Sequence, residues 1–120
     1  ITPTITNLPL HQKMILFSVL VNESNNLRNI STGEVFSTYK LACDNAAEQP
    51  LGSRRVSSLI SDLDMMGLIS AKNSSRGRHG RSKRINSCLP PAYDALAVLR
   101  AADSIMDDVI GARYRLQNRL

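Results

Sequence analysis

The chain of 120 residues is poor in the side chains on which metal sites, redox sites and disulfide-rich domains depend. It has two cysteines, two histidines, no tryptophan and only 4% aromatic residues. Cys43 and Cys88 share no short spacing, so they predict neither a zinc knuckle nor a redox pair. We interpret them as reduced thiols, with a disulfide bond as the open alternative. His11 is expected to be a surface or packing residue, and no metal ligands are predicted.

Long apolar segments are also missing. The longest run, Met14 to Val21, is broken by Ser18, whereas a membrane-spanning helix needs about 20 apolar residues. No signal peptide is visible, and we expect a cytoplasmic, nucleoid-associated protein. The chain begins at Ile1, which favours a fragment of a longer protein. Its 42% apolar residues are enough for one modest core, so a single domain is predicted.

The positive charge of the chain is concentrated in one segment. The formal net charge is +5. Residues 53 to 85 contain eight basic and two acidic residues, a net charge of +6, while the remainder has seven basic and eight acidic residues. A solvated surface usually mixes its signs, so this concentration predicts a polyanionic partner.

Residues 1 to 7 show no helical period and are interpreted as an extended tail or linker. Pro9 then suits the first turn of a helix predicted over about residues 9 to 24. Its apolar residues are expected to form one buried face. They are Leu10, Met14, Phe17 and Val21.

Two further helices are predicted on either side of a short Pro/Gly turn. Ser31 and Glu34 have the spacing of a capping box, which starts a helix over about residues 32 to 47. After Pro50, Ser53 is predicted to cap a third helix over about residues 53 to 66, ending at Gly67. Its buried stripe is formed by Val56, Leu59, Ile60 and Leu63.

Residues 68 to 88 are predicted to form a β-hairpin, or wing, with a loop over residues 74 to 81. Residues 89 to 120 form a C-terminal helical extension of one long helix or two short ones. The fold class is therefore mainly α with a small β-hairpin: a winged helix-turn-helix over residues 8 to 88 with an additional C-terminal helical segment.

Both the third helix and the wing carry residues suited to DNA. On the helix, Arg54 and Arg55 can reach phosphates or pair with guanine, and the helix N-terminus offers further donors. Small hydroxyl side chains beside them let the helix approach a groove closely. By itself this helix is equally consistent with a solvated surface.

The tip of the wing is the sharper signal. Arg76, Arg78, Arg81, Lys83 and Arg84 fall within nine residues that contain no acid. Two glycines among them permit close backbone approach, and a narrow minor groove attracts inserted arginine. The alternative is a flexible basic loop without a partner. A phosphate-binding P-loop is excluded because no Lys-Ser/Thr pair opens a helix after the glycines.

Three segments resemble the C-terminal winged-helix domain of archaeal origin-recognition initiators, the Orc/Cdc family. They are LPLHQKMILFSVL at residues 8 to 20, TGEVFSTYKLAC at 32 to 43, and RRVSSLISDLDMMGLISAKNSSRGRHGRSKRI at 54 to 85. The resemblance implies a DNA replication initiator that binds double-stranded origin DNA and acts with other initiator subunits and the replicative helicase. It implies an upstream AAA+ module for ATP and Mg²⁺, so no enzymatic activity and no cofactor is predicted for this chain.

The resemblance also implies that the helix enters the major groove and the wing the minor groove. His79 stands where the family pattern often has an aromatic residue. The residues predicted to bind DNA, from the resemblance together with the local charge, are Ser53, Arg54, Arg55, Ser57, Ser58, Arg76, Gly77, Arg78, His79, Gly80, Arg81, Lys83 and Arg84.

Two other functions stay open at this point. A winged-helix transcription regulator would use the same surface, with a dimer interface formed by the helices after Pro91. A winged-helix protein-interaction module would use it to dock a protein and would not shift a DNA duplex at low salt.

Overall fold

The computed structural model describes residues 1–25, 27–73 and 83–118. Within these ranges, six helices and one antiparallel hairpin follow each other along the chain. They are α1 (Thr2–Thr6), α2 (Leu10–Ser24), α3 (Thr32–Asn45), α4 (Ser53–Met65), β1 (Ile69–Asn73), β2 (Lys83–Ser87), α5 (Ala95–Ala102) and α6 (Ser104–Asn118). The predicted fold class, a winged helix-turn-helix with additional C-terminal helices, is confirmed.

The N-terminal segment is not an extended tail, so the interpretation of residues 1 to 7 was wrong. Thr2–Thr6 form a short helix with a proline in its first turn. Ile5 is fully buried and Leu8 nearly so, and the Thr2 hydroxyl is hydrogen-bonded to that of Tyr93. A helix of five residues is too short to be stable alone, so packing of its apolar side holds it.

Helix α2 is the centre of the domain. The single buried face predicted for it is wrong, because every residue from Gln12 to Val19 is buried whereas Leu10 and Val21 are only partly so. The helix packs against α3, α4, β2, α5 and α6. Two of its buried polar residues bond within the helix: Ser18 donates to the Met14 carbonyl at 2.8 Å, and Asn22 donates to the Ser18 carbonyl at 2.8 Å.

Helix α3 begins as predicted. The Ser31 hydroxyl accepts from the Glu34 amide at 3.1 Å, and the Glu34 carboxylate accepts from the Ser31 amide at 3.0 Å. This capping box satisfies two amides at the helix N-terminus. Just before it, Ile30 makes a single antiparallel bridge with Ile85, which adds a one-residue third strand beside the hairpin.

The hairpin pairs β1 with β2 in a register that runs from Ile69 opposite Ser87 to Asn73 opposite Lys83. Ile69 and Ile85 face the core and are buried. Lys72 and Arg84 are opposite each other on the other face and are exposed. The hairpin therefore has one face on the core and one face in solvent.

The C-terminal helices belong to the same core and are not a separate appendage. The hydrophobic core that contains the buried apolar residues of α2, α3 and α4 also includes Leu99, Met106, Val109 and Ile110. An ion pair anchors them: Lys13, only 7% exposed, lies 2.6 Å from Asp103 between α5 and α6. The Asp103 carboxylate also accepts from the Met106 amide at 2.7 Å, so it caps α6 as well.

Candidate nucleic-acid interface

Helix α4 presents a polar, basic face to solvent because four of its apolar residues are buried on the opposite side. Val56, Leu59, Ile60 and Leu63 are buried, as predicted. The predicted site residues lie on the other side. Ser53, Arg54, Arg55 and Ser58 are exposed, and Ser57 is half-buried.

The start of α4 differs from the prediction in one respect. Ser53 is the first helical residue and does not act as the cap, a position taken by Gly52 without any side-chain hydrogen bond. The chain is extended at Gly52, and a Cβ there would meet no atom within 4 Å. The first-turn amides of α4 therefore lack a side-chain acceptor, which leaves them available to an anion.

A buried tyrosine holds the turn that leads into α4. Tyr39 on α3 is fully buried, and its hydroxyl accepts from the Leu51 amide at 2.9 Å. The same hydroxyl lies 2.7 Å from His11 Nδ1, which connects the turn to α2. Burial raises the pKa of Tyr39 to about 12 despite the opposing effect of the Leu51 bond. The hydroxyl therefore stays protonated and can donate to His11 while accepting from Leu51.

Two residues close to Tyr39, His11 and Cys43, have the surroundings that the sequence predicted for them. His11 is a packing residue with a half-exposed ring, and its other nitrogen lies 3.8 Å from Glu48. Cys43 lies one turn after Tyr39 and is buried, and burial raises the pKa of its thiol. Cys88 is an exposed free thiol. Across the described ranges, no group of three or more His, Cys, Asp or Glu side chains could hold a metal ion.

The solvent face of the wing carries a cross-strand pair of like charges. Lys72 and Arg84 occupy directly paired positions on β1 and β2, and both are exposed. Like charges in this arrangement repel and destabilise a free hairpin. Arg84 was predicted as a site residue. Lys72 was not, and only the strand register could have revealed it.

The basic residues of α4 and of the wing strands form no ion pair in the described part of the chain. Its three ion pairs join His11 to Glu48, Lys13 to Asp103, and Arg100 to Asp107. None of them includes a residue of α4, β1 or β2. Within the described ranges no paired carboxylate neutralises these cations, which favours binding of a polyanion.

The predicted tip residues Arg76, Gly77, Arg78, His79, Gly80 and Arg81 lie outside the described residues. Lys83 is at the first described position after the tip. It is half-buried, and its Nζ lies 3.5 Å from the Ser61 hydroxyl of α4. Among the described residues, the structure therefore connects Lys83 of the wing with Ser61 of α4, and it leaves Arg54, Arg55 and Arg84 exposed.

A comparison with protein families identifies the domain. The model of the family described as "CDC6, C terminal winged helix domain" matches residues 3–94. The chain belongs to this family. The match starts within α1 and ends at the residue before α5. The inclusion of most of α1 agrees with the burial of Ile5 in the core.

Relatives of this Cdc6-type domain include archaeal proteins named as ORC1-type DNA replication proteins. The chain is 46% identical over 87 residues to an ORC1-type DNA replication protein of Thermococcus kodakarensis, covering 72% of this chain and 21% of that protein. It is 39% identical over 109 residues to ORC1-type DNA replication protein 7 of Halobacterium salinarum, covering 91% and 21%. The chain thus spans about a fifth of the length of these curated relatives.

A solved structure shares the fold of the whole domain. It is the Aeropyrum pernix Orc1 protein, determined in complex with DNA, with a TM-score of 0.72 and 34% identity over 94% of this chain and 28% of that one. The present chain is a Cdc6-type C-terminal winged-helix domain, and an AAA+ module is not among its 120 residues. No helix of the described ranges is long and apolar enough to cross a membrane.

Proposed function

We propose that this Cdc6-type domain binds double-stranded origin DNA, with α4 in the major groove and the basic wing against the minor groove. The observation that carries the proposal is a set of exposed basic residues on α4 and the wing that form no ion pair within the described ranges. Arg54 and Arg55 lie at the start of α4, and Lys72 and Arg84 lie on the solvent face of the wing. The phosphates of a duplex supply negative charges with which these cations can pair.

The two elements suit different parts of the duplex. Arg54 and Arg55 stand beside first-turn amides that lack a side-chain cap, so a phosphate can be bound there by both charge and backbone donors. The small side chains of Ser57 and Ser58 allow α4 to lie deep in a groove, where arginine can read guanine. The wing contributes charge to the backbone and the minor groove, and so supplies affinity more than sequence choice.

The family comparison supports the same proposal. The Aeropyrum pernix Orc1 structure, which shares this fold at 34% identity, was determined with DNA bound. By extension, we propose that the domain marks an origin for the assembly of other initiator subunits and the replicative helicase. The basic surface bears only on the DNA contact, so that contact is the part to test first.

The test is a fluorescence-anisotropy titration of a labelled origin duplex at salt concentrations between about 50 and 200 mM. If about five phosphates are neutralised, the logarithm of the affinity should fall against the logarithm of salt with a slope of roughly −4 to −5. Arg54→Ala and Arg55→Ala should each reduce the steepness of the slope by about 1. The control is Lys40→Ala, which removes an equal charge from α3, where the lysine packs over the Phe36 ring.

Two results would contradict different parts of the proposal. Affinity that does not respond to salt, or an equal loss of slope in Lys40→Ala, would contradict DNA binding through α4. Equal affinity for the origin duplex and for a scrambled duplex of the same length would contradict origin recognition alone. Specific sites are usually bound about 10³-fold or more tightly than random DNA, so the two outcomes are easily separated.

A further inference from the structure

Lys83 occupies a different position from the other basic residues of the wing. Side chains alternate between the two faces of a strand. Lys83 therefore shares the face of buried Ile85, whereas Arg84 points to the solvent face. Lys83 is half-buried and Arg84 is exposed. The two neighbouring cations thus have different surroundings.

The ammonium group of Lys83 reaches the middle of α4. Its Nζ lies 3.5 Å from the hydroxyl oxygen of Ser61, which is itself half-buried. Ser61 follows Ser57 and Ser58 by four and three residues, so it continues the same polar face by one helical turn. The contact joins the far end of that face to the loop end of the wing strands, where Lys83 pairs with Asn73. Among the described residues, no other side-chain hydrogen bond joins α4 to the hairpin.

We infer that Lys83 is a positioning residue of the DNA interface, which fixes the angle between the wing and α4 by donating to Ser61. This inference rests on the proposed function. Two elements that must enter adjacent grooves bind best when their relative orientation is set before DNA arrives, because ordering them during binding reduces affinity. Arg84 and Lys72, on the other face of the same strands, remain free for phosphates.

Replacing a phosphate ligand and replacing a positioning residue have different effects on the salt dependence of DNA affinity. Removing a phosphate ligand reduces the steepness of the salt slope by about 1, as we expect for Arg84→Met. Lys83→Met keeps the length of the side chain and removes the donor. We expect it to weaken duplex binding by about tenfold, or about 1.4 kcal/mol, with no change in slope.

The partner residue provides the second half of the test. Ser61→Ala should weaken binding about as much as Lys83→Met, and the double variant should lose little more than either single one, because both remove the same contact. Ser37→Ala, an exposed serine of α3, is the matched control and should leave affinity and slope unchanged. The inference would be overturned if Lys83→Met reduced the steepness of the salt slope by about 1 while Ser61→Ala bound the duplex as tightly as the wild type.

A measurement on the free protein separates the inference from the proposed function. In NMR spectra without DNA, Ser61→Ala should shift the resonances of the Lys83 methylene next to Nζ, whereas Ser37→Ala should not. Unshifted Lys83 resonances would overturn the contact itself. If the wild-type domain fails to bind any duplex, the proposed function and the DNA role of Lys83 both fail, while the NMR result still decides whether the contact exists.

Discussion

Replacing Tyr39 by phenylalanine should destabilise the domain through the turn before α4. The change removes a single oxygen from a fully buried side chain. The Leu51 amide then loses its acceptor, and His11 loses a partner at 2.7 Å. A buried amide without a partner costs about 1–3 kcal/mol; Leu51 is half-buried, and the partly exposed His11 can bond to water instead. We therefore expect a loss of about 2 kcal/mol in the free energy of unfolding.

Urea unfolding followed by circular dichroism measures this change. The midpoint should fall by about 1 M, with an unchanged slope against urea, if about 2 kcal/mol is lost and the slope is about 2 kcal/mol/M. A domain of ordinary stability, about 5–15 kcal/mol, remains folded.

The same substitution at Tyr93 provides the control for Tyr39→Phe. The Tyr93 hydroxyl bonds to that of Thr2 at the surface, where water can replace it. Tyr93→Phe should therefore cost less than about 0.5 kcal/mol. Equal effects of the two substitutions would refute the reasoning that the buried hydroxyl holds the turn.

Three further changes test other features. Asp103→Asn should cost about 2–3 kcal/mol in urea unfolding because it leaves buried Lys13 unpaired, whereas Asp107→Asn, in an ion pair about half exposed, should cost less than about 1 kcal/mol. The pKa of Tyr39 is raised to about 12, so its contribution to the free energy of unfolding is complete below pH 10 and should be lost as the pH rises through 12. Urea unfolding at a series of pH values measures this loss, and a Tyr39-dependent loss confined to pH values below 10 would contradict it. Gly52→Asp should stabilise the free domain by a few tenths of a kcal/mol because its carboxylate can cap α4. The same carboxylate occupies the first-turn amides, so duplex binding should weaken by about tenfold. Unchanged DNA affinity would exclude a phosphate at these amides.

Local signals predicted much of the fold. The Ser31 and Glu34 capping box, the apolar stripe of α4 and the stop at Gly67 each depend on neighbours within one or two turns. Gly67 takes a φ of 79°, which glycine adopts without strain. Such signals can be recognised in a sequence because the atoms that interact are close along the chain.

Features that depend on distant residues could not be predicted. Five residues of α1 form a helix because Ile5 packs on the core and Thr2 meets Tyr93, 91 positions away in the chain. The middle of α2 is buried on all sides because the C-terminal helices pack on it together with α3 and α4. The spacing of apolar residues in the sequence predicts only one buried face of this helix. Proline and threonine near the N-terminus predict a tail in the absence of that packing.

The candidate site was predicted unevenly for the same reason. The exposed face of α4 follows from its buried stripe, so Arg54 and Arg55 were identified correctly as exposed. Lys72 is paired with Arg84, and Lys83 points to the opposite face, because of the register of the hairpin. The sequence of a two-stranded hairpin does not specify that register, so neither feature could be predicted. The Tyr39 contact with Leu51 joins α3 to the next turn and likewise has no local signature.

Chemical-shift mapping with an origin duplex tests the central claim most directly. We predict that the largest amide shifts at saturating DNA fall in the first two turns of α4, residues 53 to 58, and in the wing from Lys72 to Arg84. A scrambled duplex should affect the wing similarly and α4 less. Shifts confined to α5 and α6, or none at low salt, would contradict the account.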